Sequence, residues 1–299
     1  MNDSKAIPIG FIGLGIMGRN MAAHLQAAGY PLHLFNRSRA GAEALLAAGA
    51  EWHDTPAGVA AASAITITMV GLPADVESVY LGAGGLVASA LPGAMLIDMT
   101  TSSPVLAQRI AAAAAARDIE AIDAPVSGGE IGARNAKLAI MVGGTTTAFD
   151  RALPLLRLMG STIVHQGGAG CGQHAKMANQ IVIASTMLGV CEGLAYAKAS
   201  GLDPQTVLQA ISGGAAGGFL LANMGPKMLA GDFSAGFFTE HFLKDMGIAL
   251  DEATRRDLDL PGLALAESLY RALSLAGHGR DGTQVLFRHY QQAESVSGD

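Results

Sequence analysis

Three glycines early in the chain have the spacing of a phosphate-binding loop. Gly13, Gly15 and Gly18 follow the apolar run Ile7 to Ile12 and precede an amphipathic helical pattern from Arg19 to Ala28. In such a strand–turn–helix unit the first glycine permits a tight turn, the second lets a pyrophosphate approach the backbone, and the third lets the helix lie close to the strand. A glycine turn without a ligand is the alternative, since the chain has 39 glycines. The flanking strand and helix patterns favour a dinucleotide site.

The end of the next apolar run bears on which dinucleotide is bound. Leu32 to Phe35 reads as a second strand, and Asn36, Arg37 and Ser38 follow it. An acidic residue here would accept a hydrogen bond from the ribose 2′-hydroxyl and repel a 2′-phosphate, whereas a guanidinium and a hydroxyl suit a phosphate. The sequence therefore predicts NADP(H) in preference to NAD(H). Alternatively, Asn36 and Ser38 cap a helix from 39 to 48 and Arg37 is only solvated.

Three further segments lie just after predicted strands, where ligands of parallel sheets bind. They are Leu72–Pro73, Thr101 and Ser127–Gly128–Gly129. The last offers a hydroxyl and closely spaced backbone N–H groups, which suit a carboxylate. From the tripeptide alone, an ordinary Ser-Gly-Gly turn is the favoured interpretation.

A lysine and two amides occupy one stretch of a later helical pattern. Lys176, Asn179 and Gln180 stand three and four residues apart and so share a helix face. Beside a nicotinamide, such a lysine could protonate or polarise a carbonyl oxygen. Spacing alone favours a solvated surface lysine, and the same holds for Lys244 beside Asp245. None of the eight histidines forms an H-x-x-x-H pair or another metal-ligand spacing, so a metal is not expected.

Alternating strand and helix patterns predict the architecture that would position these residues. Residues 1–168 are predicted to form a Rossmann-type doubly wound parallel sheet of the α/β class. Strand signals then stop. Residues 169–299 are predicted to form an all-helical domain that begins with a long interdomain helix from Gln173 to about Ser200.

Composition limits the classes of partner. The net charge is −6, with 19 basic and 25 acidic residues, and no basic run suggests nucleic acid. Two cysteines without a paired spacing indicate reduced thiols and a cytoplasmic protein. No charge-free apolar run approaches the roughly 18 residues of a membrane span.

Four motifs in order resemble those of the β-hydroxyacid dehydrogenase family, which includes 3-hydroxyisobutyrate dehydrogenases and tartronate semialdehyde reductases. The resemblance extends from end to end of the chain. The motifs are Gly10-Phe11-Ile12-Gly13-Leu14-Gly15-Ile16-Met17-Gly18, Asp123-Ala124-Pro125-Val126-Ser127-Gly128-Gly129, Gly170-x-Gly172-x-x-x-Lys176-x-x-Asn179 and Phe242-Leu243-Lys244-Asp245-Met246.

The resemblance implies roles that spacing alone does not provide. Lys176 would be the proton donor or acceptor, Asn179 would hold the substrate, and Ser127, Gly128 and Gly129 would bind its carboxylate. The family often has a second asparagine where this chain has Gln180, which bears on substrate preference. The cofactor would be contacted by Gly13, Leu14, Gly15, Ile16, Met17, Gly18, Leu72, Pro73, Thr101 and Lys244.

The implied activity is hydride transfer between a nicotinamide and a small 3-hydroxy acid or semialdehyde, in a homodimer or homotetramer. One alternative is an imine reductase, whose members usually replace the catalytic lysine that is kept here. Another is a cofactor-binding sensor or scaffold that has lost catalysis, against which the complete substrate motif argues.

Overall fold

The computed structural model describes residues 7–296 of the chain, with side chains described as far as residue 291. The chain divides after Lys176 into two compact units. The first is built around a sheet and the second is helical within its described part, so the predicted α/β class is confirmed. The described residues include no cis peptide bond.

Within the part of the first unit that the structure describes, nine strands form the sheet, in the order β3-β2-β1-β4-β5-β6-β8-β7 with β9 paired to β8. All pairs from β3 to β6 are parallel, as is β8 with β9, whereas β8 is antiparallel to β6 and β7. The strand order reverses between β2 and β4 beside β1, which is the topological switch point where such sheets bind ligands. The strands are β1 Ile9–Ile12, β2 Leu32–Phe35, β3 Glu51–Trp52, β4 Ile65–Thr68, β5 Met95–Asp98, β6 Glu120–Asp123, β7 Val126–Ser127, β8 Leu138–Gly143 and β9 Gly160–Gly167.

Apolar side chains on both faces of the sheet account for its burial. All four residues of β1, β4 and β5 are buried, as expected for central parallel strands covered by helices on both sides. The helices of this unit are α1 Gly18–Ala27, α2 Glu43–Ala47, α3 Pro56–Ala62, α4 Pro73–Leu81, α5 Leu86–Ser89, α6 Pro104–Ala115, α7 Gly129–Arg134 and α8 Thr146–Leu156.

Polar caps set the first residues of several of these helices. The Thr55 hydroxyl accepts a hydrogen bond from the Gly58 N–H at 3.1 Å, and proline follows it at the first helical position. The order Thr55-Pro56 predicts a helix start with threonine as the cap, and the structure confirms it. The helix predicted for residues 39–48 is shorter, because a 3-10 turn at Arg39–Gly41 precedes α2, and Ser38 makes no side-chain cap bond.

The short strands were the part of the sheet that sequence patterns missed. β3 and β7 have two residues each, too few for an alternating pattern to register. For β9 the apolar pattern predicts only residues 162–164, and the strand is longer because its alternating exposed residues carry a weak apolar signal.

The second unit is a group of helices around the C-terminal part of α9. This helix spans Cys171–Ala199, close to the predicted 173–200. Its apolar side packs Met187, Cys191 and Leu194 against Phe242 and Tyr270. The other helices are α10 Pro204–Ser212, α11 Phe219–Ala230, α12 Thr239–Thr254, α13 Pro261–Leu273, which continues as a π turn at Ser274–His278, a 3-10 turn at Thr283–Leu286, and α14 Phe287–Val296.

Among the described residues, α9 is the one helix that is long and apolar enough, by length and composition, to cross a membrane. In its most apolar window, 44% is buried inside the protein. Core helices of soluble proteins have the same properties, and α9 supplies core residues to the second unit.

Candidate active site

The glycine loop between β1 and α1 leaves open space at one position and none at the other two. At Gly13 a Cβ atom would overlap the Met69 carbonyl oxygen, and φ is +94°, a left-handed value that favours glycine. At Gly18 a Cβ atom would overlap the Gly13 carbonyl oxygen. At Gly15 a Cβ atom would meet nothing within 4 Å. The loop is therefore closely packed at Gly13 and Gly18, and it is open at Gly15.

We expect Gly15→Val to keep the fold and to weaken NADPH binding by at least about tenfold, or 1.4 kcal/mol. The added side chain enters space that is free of protein atoms, so it blocks only a ligand. The measurement is a fluorescence titration with NADPH beside a thermal melt. The matched variant Gly18→Val should instead lose thermal stability, because its side chain overlaps backbone. If Gly15→Val bound NADPH as tightly as the wild type, the glycine loop would not be part of the cofactor site.

The end of β2 is tied to this loop by an amide. Asn36 Oδ1 accepts a hydrogen bond from the Leu14 N–H at 3.2 Å, and Asn36 Nδ2 donates to the Ser38 carbonyl oxygen at 2.8 Å. Asn36 thus holds the loop and the strand end together. The Arg37 side chain is 85% exposed, and its Nη1 lies 3.7 Å from Asp75 Oδ1. An ion pair this exposed and this long is worth little, so the guanidinium is available to a phosphate.

A second guanidinium lies near the end of β2, and the sequence patterns did not indicate it. The Arg39 guanidinium carbon lies 5.3 Å from the centre of the Trp52 ring; Arg39 follows β2, and Trp52 belongs to the edge strand β3. Trp52 also lies near Phe35, with ring centres 6.3 Å apart. The single tryptophan of the chain, beside strand β2, was the available signal.

The loop after β4 is held by a carboxylate. Asp75 Oδ2 accepts a hydrogen bond from the Leu72 N–H at 3.0 Å at the start of α4. The Leu72 side chain is 45% exposed despite being apolar, while Pro73 is half-buried. Thr101 is half-buried in the loop after β5. All three follow the carboxyl ends of parallel strands, as the sequence predicted.

Asp98, the last residue of β5, is a buried carboxyl that belongs to a hydrogen-bonded chain. Its Oδ1 accepts from the Thr68 hydroxyl at 2.9 Å and from the Thr100 N–H at 3.0 Å. Burial raises the pKa of Asp98 to about 6, and these donors oppose the shift. Asp98 therefore fixes the ends of β4 and β5, after which the loops at residues 70 and 100 begin. The Thr100 hydroxyl joins these loops, because it also accepts a hydrogen bond from the Val70 N–H.

The substrate motif and the lysine motif are joined by one carboxylate. Asp123 is 2% exposed, and its two oxygens accept hydrogen bonds from the Gly170 N–H at 2.7 Å and the Gln173 N–H at 2.8 Å. It therefore satisfies backbone donors at the first turn of α9, where a negative charge is favoured by the helix dipole. Burial raises the pKa of Asp123, while these N–H groups act in the opposite direction.

The same turn is fixed by a buried amide. Gln173 Oε1 accepts from the Ser102 N–H at 2.8 Å, and its Nε2 donates to the Thr100 carbonyl oxygen at 2.8 Å. Lys176 follows one turn later and is only 5% exposed, so it is not the solvated lysine that spacing alone favoured. Lysine is rarely buried this far unless it is paired or functional.

Ser127, Gly128 and Gly129 lie at the junction of β7 and α7, on the same segment as Asp123. Gly128 and Gly129 have φ of +131° and +60°, so two consecutive residues adopt backbone that favours glycine. Ser127 is half-buried and Gly128 is exposed. Successive glycines of this kind can direct neighbouring backbone N–H groups to one side, where they suit an anion.

In the second unit, four polar side chains form one chain of contacts. Asn179 Nδ2 donates to Gln180 Oε1 at 2.7 Å, and Gln180 Nε2 donates to Asp245 Oδ2 at 2.6 Å. Lys244 Nζ lies 2.8 Å from Asp245 Oδ1. Because a carboxylate only accepts, Asp245 fixes the orientation of the Gln180 amide, and Gln180 in turn fixes that of Asn179.

These features define a nicotinamide-dependent oxidoreductase with a Rossmann-type first half. Two family models match the chain. Residues 8–168 match the NAD-binding domain of 6-phosphogluconate dehydrogenase, and residues 170–290 match the NAD-binding domain of NADP-dependent 3-hydroxyisobutyrate dehydrogenase. The chain belongs to the β-hydroxyacid dehydrogenase family, as its motifs predicted.

Named relatives agree with this assignment over nearly the whole chain. A probable 3-hydroxyisobutyrate dehydrogenase-like protein of Arabidopsis thaliana is 48% identical over 97% of this chain and 86% of its own length. The 2-hydroxy-3-oxopropionate reductase of Escherichia coli is 40% identical over 90% and 92% of the two chains. The solved 3-hydroxyisobutyrate dehydrogenase of Mycobacterium tuberculosis, with L-serine, is 30% identical with a TM-score of 0.87 over 95% and 99%. The protein is thus an NAD(P)-dependent enzyme with a small-molecule substrate.

Proposed function

We propose that this enzyme transfers hydride between NADP(H) and a small 3-hydroxy acid or the corresponding semialdehyde. The observation that carries the proposal is the double hydrogen bond from the α9 backbone to Asp123. It fixes the helix turn before Lys176 to the strand segment that continues into Ser127, Gly128 and Gly129. The proposed proton-transfer group and the proposed carboxylate-binding turn are thereby held at fixed positions relative to each other.

The cofactor fits the residues present, since the loop at Gly15 is open to a pyrophosphate. We propose that Gly13, Leu14, Gly15, Ile16, Met17 and Gly18 hold its phosphates, with Leu72, Pro73, Thr101 and Lys244 along the rest of it. Bound nicotinamide supplies the hydride donor and acceptor. The remaining chemistry belongs to the protein.

Lys176 Nζ is proposed to give a proton to the substrate carbonyl oxygen during reduction and to take it back during oxidation. Its burial supports this role, because a proton donor shielded from water acts on the substrate with little loss to solvent. The hydroxyl of Ser127 and the backbone N–H groups of Gly128 and Gly129 are proposed to bind the substrate carboxylate, which orients the carbonyl carbon.

The longer side chain of Gln180 explains how this residue can belong to the proposed substrate site. We propose that Asn179 and Gln180 bind substrate as a pair, with the Gln180 amide held by Asp245. Glutamine has one methylene more than the asparagine that the family often has here. That extra reach lets it contact Asp245 while still accepting a hydrogen bond from Asn179.

The preference for NADP(H) is proposed to come from Arg37, with Asn36 and Ser38 beside it. The exposure of the guanidinium and its weak pairing with Asp75 support this assignment. So does the absence of an acidic side chain at the strand end, where Asn36 stands.

We expect Arg37→Gln to raise the KM for NADPH by about tenfold, an effect of 1.4 kcal/mol, and to leave that for NADH nearly unchanged. A 2′-phosphate would lose a charge-assisted hydrogen bond, while a 2′-hydroxyl would lose nothing. The measurement is steady-state kinetics with both cofactors. Arg109→Gln is the matched control, because Arg109 is also an exposed arginine that faces a carboxylate, that of Glu77 at 2.8 Å. Equal losses with both cofactors would contradict the assignment.

The substrate class is tested by following NADPH and NADH oxidation with a panel of small aldehyde and keto acids, with the decarboxylated aldehydes as matched controls. Turnover that needs the carboxylate supports the proposal. Equal turnover of acids and decarboxylated analogues would overturn it. Turnover of cyclic imines in place of carbonyls would indicate an imine reductase, and tight cofactor binding without turnover would indicate a sensor or scaffold.

We further propose that residues 1–168 act as the cofactor domain and residues 169–299 as the substrate and dimerisation domain of a cytoplasmic homodimer or homotetramer. The two family models, which match on either side of residue 169, support this division. Light scattering of the purified enzyme measures the assembly.

A further inference from the structure

Two histidines and a glutamate, none of them among the residues assigned above, come together at the β3 edge of the sheet. His33 lies on β2 and is paired in register with Glu51 on β3. His53 follows β3, and its N–H donates to the Leu34 carbonyl oxygen at 2.9 Å, which continues the strand pairing by one residue. Glu51 and His53 are two residues apart on an extended chain, so both side chains emerge on the side of His33.

The three side chains bring their ligand atoms to the distances of a tetrahedral metal site. His33 Nδ1 lies 2.9 Å from His53 Nε2 and 3.6 Å from Glu51 Oε2. All three ligand atoms lie within 4.8 Å of one another. Metal–ligand bonds of about 2.0–2.1 Å in tetrahedral geometry place two ligand atoms roughly 3.3 Å apart. The first two distances bracket that value.

We propose that His33, His53 and Glu51 bind one first-row divalent cation, of which Zn²⁺ is the best match. Two imidazoles and one carboxylate are a ligand set that zinc accepts, with a fourth position left for water. The site is independent of the proposed catalytic function, since none of its residues takes part in it.

The hydrogen between the facing nitrogens of His33 and His53 does not prevent metal binding. Two neutral imidazoles at 2.9 Å share one hydrogen between the facing nitrogens. When that hydrogen moves to the other nitrogen of its own ring, both facing nitrogens are free to bind a metal.

The environment gives the site both a rigid side and an open side. The His33 side chain is 14% exposed, whereas that of Glu51 is 73% exposed. The His53 ring lies against the start of α3, where a Cβ at Gly58 would be 3.1 Å from His53 Nδ1. A cation can therefore enter from solvent beside Glu51, and its binding would fasten the two-residue strand β3 to β2.

The test is calorimetric titration of the tag-free enzyme with Zn²⁺, together with the visible absorption spectrum after Co²⁺ addition. We expect one equivalent to bind, a tetrahedral cobalt spectrum, and a higher melting temperature with Zn²⁺. His33→Gln and His53→Gln should each weaken binding by at least about tenfold, since even residues that only orient metal ligands contribute that much. Glu51→Gln should weaken it as well, and its exposed side chain makes that variant safe for the fold.

His278→Gln is the matched control, because His278 also contacts a carboxylate, that of Asp281 at 2.8 Å, without a second histidine in that pair. It should leave zinc affinity unchanged. The proposal is overturned if the wild type shows no saturable binding of one equivalent, or if either histidine variant binds as tightly as the wild type. Unchanged affinity in Glu51→Gln would overturn the three-residue site.

Discussion

Lys176→Ala is expected to lower kcat by a hundredfold or more while the enzyme still binds NADPH normally. General acid–base groups contribute about 10²–10⁴ to a rate, and Lys176 is the proposed proton donor. Its side chain is only 5% exposed, so Lys176→Met is a useful companion that preserves apolar volume. Lys176→Arg should also be slow, because a guanidinium keeps its proton at neutral pH. Stopped-flow and steady-state kinetics measure the rates, and fluorescence measures cofactor binding.

Lys198→Ala provides the control on the same helix, since Lys198 is exposed in its last turn. It should have wild-type kcat and wild-type stability. If Lys176→Met is folded and its kcat lies within about threefold of the wild-type value, general acid–base catalysis by this lysine is excluded.

Asp123→Ala is expected to lower the free energy of unfolding by about 2–4 kcal/mol, the cost of leaving two buried backbone donors without an acceptor. The donors are the N–H groups of Gly170 and Gln173. Because these residues form the turn before Lys176, kcat should fall as well, even though Asp123 is a positioning residue. Urea unfolding measures the stability, and kinetics at low temperature, where the variant stays folded, measure kcat.

Asp150→Ala is the corresponding control, because Asp150 is an exposed acid on α8. Its unfolding free energy should change by less than about 0.5 kcal/mol. A loss of stability in Asp123→Ala no larger than in this control would show that the first turn of α9 does not depend on the carboxylate.

The parts of the fold that sequence reasoning obtained are those with a local cause. The runs of β1, β4 and β5 are buried at every residue and rich in apolar side chains, and Thr55 and Ser103 cap the helices that follow them. The glycine loop was recognisable from its spacing, and the close contact of Gly18 with the Gly13 carbonyl oxygen lies within one strand–turn–helix unit, whereas the contact of Gly13 with Met69 does not. The signals that made these features recognisable come from residues that are close together in the chain.

The parts that it missed depend on residues far apart in the chain. Asp123 and Gln173 are 50 residues apart, and Gln180 and Asp245 are 65 apart. In neither pair does the local sequence pattern around one residue indicate that the other is its partner. The histidine cluster was not predicted for the same reason, because His33 and His53 come together only through strand pairing. Burial of Lys176 likewise follows from packing, since its neighbours in sequence permit an exposed lysine equally well.

The way Asp123 holds α9 has a consequence for recombination between related genes. Its two oxygens bind backbone N–H groups, which every non-proline residue supplies at positions 170 and 173. A crossover near residue 168 would therefore yield a chimaera in which the first parent's aspartate still caps the second parent's helix. A crossover after Lys176 would instead join two parental sequences in the middle of a continuous helix, where side chains one turn apart have to remain compatible. Exchange of cofactor halves among such enzymes is thus structurally least costly at the loop before α9.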